Sequence, residues 1–166
     1  ITVLTSSAND AVECLSFADL YALLGPEAEG VENWNDAESL AQELGSSTDL
    51  PDAPLDITAP GTESGTYDAF IELALGDLAE AQLEAGAITE DVAESMRTDY
   101  SSQADDNAII AGIEGSDTSL GFVGFSFAEG AGDDVKELEV DGGDGCVAPS
   151  IDTIADRSYP ISRSLY

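Results

Sequence analysis

Between Leu55 and Leu75 the hydrophobic period of the chain changes from two to 3.6. Leu55-Asp56-Ile57-Thr58-Ala59 alternates as a strand does. Tyr67, Phe70, Ile71, Ala74 and Leu75 then recur at i, i+3, i+4, i+7 and i+8, the spacing of one helical face. The break between them, Pro60-Gly61-Thr62-Glu63-Ser64-Gly65-Thr66, is made of turn residues. A strand that feeds a helix through a short turn must bury one side of each against a common layer. That junction constrains the chain toward a layered α/β domain.

The flanking sequence repeats the alternation. Ile1 to Thr5 reads as a strand. Ser16 caps a helix with an acid three positions on, Phe17, Leu20, Tyr21 and Leu24 share its face, and Gly25-Pro26 ends it. Residues 35–44 are expected to form a short helix and Gly45 to Pro54 a loop. Asp77 to Ala85 extends the helical pattern to a stop near Gly86, while residues 87–103 are ambiguous. Asp105-Asp106-Asn107 caps a helix that buries Ile109, Ile110 and Ile113. Leu120 to Phe127 and Val135 to Val140 are predicted strands, Asp141 to Gly145 a turn, and Ser150 the cap of a last helix. Ser158 to Tyr166 is expected to be extended, and no internal repeat is visible.

The chain has 166 residues, enough for one domain or two small lobes. Its 43% hydrophobic content supports a core. The charge is extreme: 35 Asp and Glu against four Lys and Arg, a net −31, with no His. Without His there is no Ser-His-Asp triad and no His-ligated metal. Four scattered cations cannot neutralise a nucleic-acid backbone, and an anionic membrane surface repels the chain. Such a charge needs screening, and the Debye length shrinks to about 3 Å at 1 M salt. The acidity therefore suggests adaptation to a salty (halophilic) or acidic exterior.

Cys14 and Cys146 fit no zinc spacing. They are either two buried thiols or one bridge closing a loop of about 130 residues, which would stabilise by up to about 4–5 kcal/mol in the chain-entropy model. The chain opens on Ile1-Thr2-Val3-Leu4 with neither Met nor a basic leader, so it reads as an excerpt or processed product. Asp141-Gly142-Gly143-Asp144-Gly145 lacks the alternating ligands of a calcium loop and reads as a turn.

Ser64-Gly65-Thr66 stands where a helix begins. A first helical turn presents unpaired N–H groups and the positive end of the dipole. Gly65 lets a bound group approach the backbone, and the Ser64 and Thr66 hydroxyls add donors. Such an oxyanion cradle works in a net-negative chain because its donors are local and uncharged. The alternative is an ordinary N-cap.

The pattern Pro60-Gly61-Thr62-Glu63-Ser64-Gly65-Thr66-Tyr67-Asp68-Ala69-Phe70 resembles the ligand-binding segment of phosphate-specific ABC-transporter substrate-binding proteins. The likeness continues in order through Cys14-Leu15-Ser16, Trp34-Asn35-Asp36, Arg97-Thr98-Asp99-Tyr100, Asp105-Asp106-Asn107-Ala108-Ile109-Ile110-Ala111-Gly112-Ile113 and Leu120-Gly121-Phe122-Val123-Gly124-Phe125. It closes with Cys146-Val147-Ala148-Pro149-Ser150 and Tyr159-Pro160-Ile161-Ser162-Arg163-Ser164-Leu165-Tyr166. The resemblance implies one lobe of a type II periplasmic-binding-protein-like fold, a mixed sheet flanked by helices. Residues 1–157 would form the lobe, with the first crossover at 1–5, and residues 158–166 would return toward an N-terminal lobe outside this sequence.

By the same resemblance Ser64, Gly65 and Thr66 match the phosphate-binding tripeptide, and Glu63 stands where an Asp is usual. Some members place an Arg before the tripeptide. Here Pro60-Gly61-Thr62 occupies that stretch, which makes Arg97, oriented by Asp99, the substitute cation. Arg97 could instead pair structurally with nearby acids. Asp105 and Asp106 are expected to cap a helix, and Arg163 to serve a hinge or a salt bridge. Cys14 and Cys146 are expected to pair, as suits an exported protein. The implied function is extracytoplasmic capture of inorganic phosphate for the permease subunits of an ABC importer, with no cofactor and no covalent chemistry. Other readings are a sulfate-like ligand, or an acidic surface protein that kept the lobe without transport. A Ser64 hydrolase is disfavoured, because Gly-Thr-Glu-Ser-Gly is not G-x-S-x-G and no His is present.

Overall fold

The apolar run at the start of the chain becomes the middle of a sheet. The computed structural model describes residues 1–162. Its strands are β1 (Thr2–Ser6), β2 (Cys14–Ser16), β3 (Asp56–Ala59), β4 (Ser101–Ser102), β5 (Ser119–Val123), β6 (Val135–Glu137), β7 (Glu139–Asp141) and β8 (Cys146–Val147). Its helices are α1 (Phe17–Leu24), α2 (Glu38–Glu43), α3 (Gly65–Phe70), α4 (Gly76–Glu84), α5 (Asp106–Glu114), α6 (Phe125–Gly130) and α7 (Ile151–Ala155). The main sheet has the order β4-β3-β5-β1-β6. Its strands β3, β4 and β5 run parallel, and β1 is antiparallel to both β5 and β6. This is the mixed sheet flanked by helices expected for one lobe of a type II periplasmic-binding-protein-like fold.

Both faces of the sheet are covered, so β1 and β5 are buried at every residue. On one face Val3, Ile57, Leu120 and Phe122 pack with Leu20 and Leu23 of α1 and with Phe70 of α3. The Phe70 and Phe122 rings stack with centroids 4.0 Å apart. On the other face Leu4 and Val123 pack with Ile109 and Ile113 of α5 and Ala128 of α6. Each such buried side chain contributes about 1.5–3 kcal/mol. Contact between β3, β5 and α5 is close enough to require glycine. A Cβ on Gly121 would fall 2.0 Å from the Thr58 carbonyl oxygen, and one on Gly112 would fall 2.5 Å from Thr58 Oγ1.

Local chemistry sets most helix starts. Ser16 and Asp19 form a reciprocal capping box, as the sequence predicts, and the buried Asp19 carboxylate also accepts from Ser46 Oγ at 2.6 Å. Ser150 caps α7 through Thr153. Helix α3 continues through a π-helical turn, Ile71–Leu75, into α4, so residues 65–84 run without a break. The run ends at Gly86, whose φ of +79° is the left-handed C-terminal stop.

Three expectations are corrected. Leu120 to Phe127 is not one strand: β5 stops at Val123, Gly124 turns the chain, and Phe125 opens α6. Val135 to Val140 divides at Leu138. β6 pairs with β1, whereas β7 joins a second sheet of order β2-β7-β8. Residues 158–162 form bends rather than an extended strand, and the remainder of that segment lies outside the described residues. The expected bridge is present: Cys14 on β2 and Cys146 on β8 are bonded with Cα atoms 6.2 Å apart, 132 residues apart in sequence.

Gly121→Ala should destabilise the protein by about 1–3 kcal/mol in urea unfolding, because β3 or α5 must shift to admit the methyl group. Cys14→Ser should cost about 2–4 kcal/mol in the same assay by releasing the loop that the bridge closes.

Candidate functional site

At the carboxyl end of β3 the chain turns through Pro60 to Glu63 and enters α3. Ser64 N–H donates to the Gly61 carbonyl at 3.0 Å and closes the turn. Ser64 Oγ accepts from Thr66 N–H at 3.1 Å, so its own proton stays available to donate. The first intrahelical bond is Asp68 N–H to the Ser64 carbonyl at 3.3 Å. Gly65 and Tyr67 N–H therefore lie ahead of any intrahelical acceptor. In front of Gly65 there is open space: an added Cβ would meet nothing within 4 Å. A cluster of uncharged donors thus faces outward from the start of a long helix, a setting that favours an anion.

The carboxyl ends of β3, β4 and β5 lie at one edge of the sheet and lead into α3, α5 and α6. That edge is where open α/β sheets bind ligands. Asp105 accepts from Asn107 N–H at 2.9 Å, so it caps α5 as expected. Asp106 beside it is pushed above the usual carboxylate range by partial burial and by Asp105. Gly124 begins α6 with no side-chain cap. At the same edge the Ile1 amino group donates to the Ile161 carbonyl at 3.2 Å. Glu63 is exposed and curls over the turn, where a Cβ on Gly61 would lie 2.8 Å from its Oε2.

Behind the turn stand two tyrosines that sequence reasoning did not single out. Tyr100 Oη donates to the Pro60 carbonyl at 2.6 Å, and Tyr67 Oη accepts from Met96 N–H at 3.2 Å. Burial, then the neighbouring Tyr67 and Glu63, raise the Tyr100 phenol to about 12, so it remains a donor. A phenol among apolar positions needs a polar partner once buried, and that was the only signal the sequence offered.

Arg97 has a setting different from the one expected of a substitute cation. It is 3% exposed. Its Nε and Nη2 grip Asp99 at 2.7 and 3.0 Å, Nη1 donates to the Leu23 carbonyl at 3.1 Å, and Nη2 donates to the Val31 carbonyl at 2.8 Å. The guanidinium is engaged on the α1 side of the domain. Asp99 also accepts from Gly30 N–H at 2.8 Å. The Arg97 hydrogen bond first, and that backbone donor second, hold its carboxyl down at about 2 against some desolvation. Arg163 lies outside the described residues.

Other features offer no competing chemistry. A cavity of about 680 Å³ opens along the 65–84 helix, but Asp68, Glu72, Asp77, Glu80 and Glu94 line it and would repel an anion. In the glycine-rich turn Asp141 Oδ1 accepts from Gly143 and Gly145 N–H at 2.8 and 3.1 Å, which uses the carboxylate internally. Among the described residues no group of three or more His, Cys, Asp or Glu is poised to hold a metal, and no helix is long and apolar enough to cross a membrane.

The chain matches a family model described as the PBP superfamily domain over residues 1–166. Protein SphX of Synechocystis sp. is 32% identical over 168 residues, covering all of this chain and 43% of SphX. The phosphate-binding protein PstS of Staphylococcus epidermidis is 25% identical over 167 residues, covering all of this chain and 42% of that protein. The chain therefore spans less than half the length of the relatives it matches. Among solved structures, a possible phosphate binding protein from Planctomyces limnophilus aligns with a TM-score of 0.73 at 28% identity, over 95% of this chain and 48% of that one. PstS from Borrelia burgdorferi aligns at 0.69 with 19% identity, over 96% of this chain and 53% of its own, and shares the fold.

The Asp99 carboxyl should titrate near 2 rather than near the ordinary carboxylate value of about 4. Because its folded value is depressed, the stability it adds is present above about pH 4 and disappears as pH falls through about 2. Carboxyl carbon shifts followed by NMR measure this directly; a midpoint near 4 would show that the Arg97 pair does not hold in solution.

Proposed function

This chain belongs to the PBP superfamily, and from that premise we propose that it is the phosphate-binding lobe of an extracytoplasmic solute-binding protein serving an ABC importer. On this reading residues 1–157 are the lobe, and the chain from residue 158 leads toward a second lobe that would supply the rest of the site. The observation that carries this reading is the placement of Ser64-Gly65-Thr66. The tripeptide starts a long helix at the carboxyl edge of a parallel set of strands, with open space in front of Gly65 and a hydroxyl residue on either side of it. The hydrogen bond between Ile1 and Ile161 is consistent with the domain reading, because it joins the segment before β1 to the segment after residue 157 at the same edge of the sheet. The names of the relatives and of the Planctomyces structure support phosphate as the ligand.

Binding proceeds by neutral hydrogen bonds and by closure of two lobes over the anion, which excludes water. No bond is made or broken in the ligand. Ser64, Gly65 and Thr66 supply donors. Glu63 supplies an acceptor, which a protonated phosphate can satisfy with its own O–H and a fully ionised sulfate cannot. Arg97 supports the domain from behind. Capture by the lobe is followed by delivery to the permease subunits. The bridged Cys14 and Cys146 favour an oxidising, extracytoplasmic location. The net charge of −31 suits a salty exterior.

Calorimetry on the full two-lobed protein should give phosphate binding at least about tenfold tighter than sulfate, a difference of about 1.4 kcal/mol. Ser64→Ala and Thr66→Ala should each weaken phosphate by about 1–3 kcal/mol, the effect of losing a site hydrogen bond. Glu63→Gln should narrow the preference for phosphate over sulfate. Equal affinity for the two anions in the unaltered protein would defeat the phosphate reading.

A further inference from the structure

The ambiguous stretch of sequence between residues 87 and 103 ends as a segment that touches the cradle at three points and the α1 corner at five. On the cradle side, Met96 N–H reaches Tyr67 Oη at 3.2 Å, Tyr100 Oη reaches the Pro60 carbonyl at 2.6 Å, and Gln103 N–H reaches the Ala59 carbonyl at 3.0 Å. These contacts hold the last residue of β3, the first residue of the turn and the first helical turn of α3. On the α1 side, Arg97 N–H donates to the Leu24 carbonyl at 3.0 Å, and its guanidinium reaches the Leu23 and Val31 carbonyls at 3.1 and 2.8 Å. Thr98 donates to Glu29, and Asp99 accepts from Gly30.

The Pro60 carbonyl is the informative atom. It follows the last strand residue, so it cannot be satisfied by continuing the ladder, and it is buried. Tyr100 is the donor that satisfies it. Holding the Pro60–Gly61 peptide fixes one end of the Gly61 backbone, and the Gly61 carbonyl at its other end is the acceptor for Ser64 N–H. A chain of two hydrogen bonds therefore links the Tyr100 phenol to the start of the cradle. Tyr100 follows Asp99 directly, and Asp99 is clamped by Arg97.

We propose that Tyr100 is a positioning residue for the Ser64-Gly65-Thr66 cradle, and that residues 96–103 form a strap through which the Arg97–Asp99 pair holds Tyr100 against Pro60. Its part in ligand binding rests on the phosphate reading above; its effect on cradle geometry does not. In this arrangement Arg97 and Asp99 influence the anion site without touching the anion. Tyr100→Phe removes one hydroxyl and keeps the ring, so the packing of the strap is retained.

The test uses the full two-lobed protein and two readouts. Amide hydrogen exchange is followed at Ser64 and Thr66, whose N–H groups are both bonded within the cradle. Inorganic phosphate binding is followed by calorimetry. Tyr100→Phe should speed exchange at those two amides about tenfold, leave the amides of β1 and β5 unchanged, and weaken phosphate about tenfold. Asp99→Asn should speed the same two amides, and the double variant should do little more than the larger single change, as coupled residues do. Unchanged exchange at Ser64 and Thr66 in Tyr100→Phe overturns the proposal whatever phosphate does. So does a uniform acceleration across the domain, which would assign Tyr100 to global stability alone. Strictly additive effects of Asp99→Asn and Tyr100→Phe overturn the strap. If the unaltered protein binds no phosphate, the ligand reading fails while the exchange data still decide the positioning role.

Discussion

The close approach of β3 to β5 is the constraint on which the rest of the domain is arranged. β5 is buried on both faces between β1 and β3, and Gly121 in its middle leaves room for the Thr58 carbonyl. That absence of a side chain also leaves room for Ile113 of α5, which settles onto the sheet through Gly112, while Phe70 stacks on Phe122 from the opposite side. With β3 pinned at this depth, its carboxyl end and the helix that follows have one place to go. The donor cluster at Ser64 is thus located by packing some distance from it, and the polar groups act on a scaffold that the apolar groups define.

Electrostatics explains how the proposed anion site is compatible with so acidic a chain. The surface carboxylates repel an anion at long range, and salt screens that repulsion within a few ångströms. The donors that matter act at hydrogen-bond distance and carry no formal charge to be neutralised by the acids around them. A lysine at the cradle would sit amid 35 carboxylates and pair with one of them. Two of the described cations show such pairing. Arg97 is held by Asp99, and Lys136 by Glu13 at 2.9 Å. These two cations are held by acids within the fold, and the donors at the start of α3 are backbone and hydroxyl groups.

Features governed by near neighbours in sequence were legible. The capping boxes at Ser16 and Ser150 and the caps at Ser64 and Asp105 each involve atoms two or three residues apart, so residue type alone announces them. The long helix after Ser64 was legible from its period. Features that depend on remote partners were not. Val135 to Val140 alternates evenly, yet its halves pair with β1 and β2, strands far away in sequence. Phe125 to Phe127 carries strand-forming residues, yet the ladder with β1 runs only as far as Val123, and the chain coils into α6. Residues 96–103 show no period because their order comes from single contacts to β3, α3 and α1.

The sequence by itself determined the α/β class and the helix start at Ser64, because hydrophobic period and capping chemistry are local, and its motifs in order carried the resemblance to phosphate-specific binding proteins. Only the tertiary structure decided where the Arg97 guanidinium is held. From residue type it was a cation with an acid two positions on, equally suited to a ligand or to a structural pair. Its partners are the Leu23 and Val31 carbonyls, more than sixty residues away in sequence, and no local pattern encodes a bond across that distance. The same holds for Tyr100 and Pro60, which are forty residues apart and meet because β3 and β4 lie side by side.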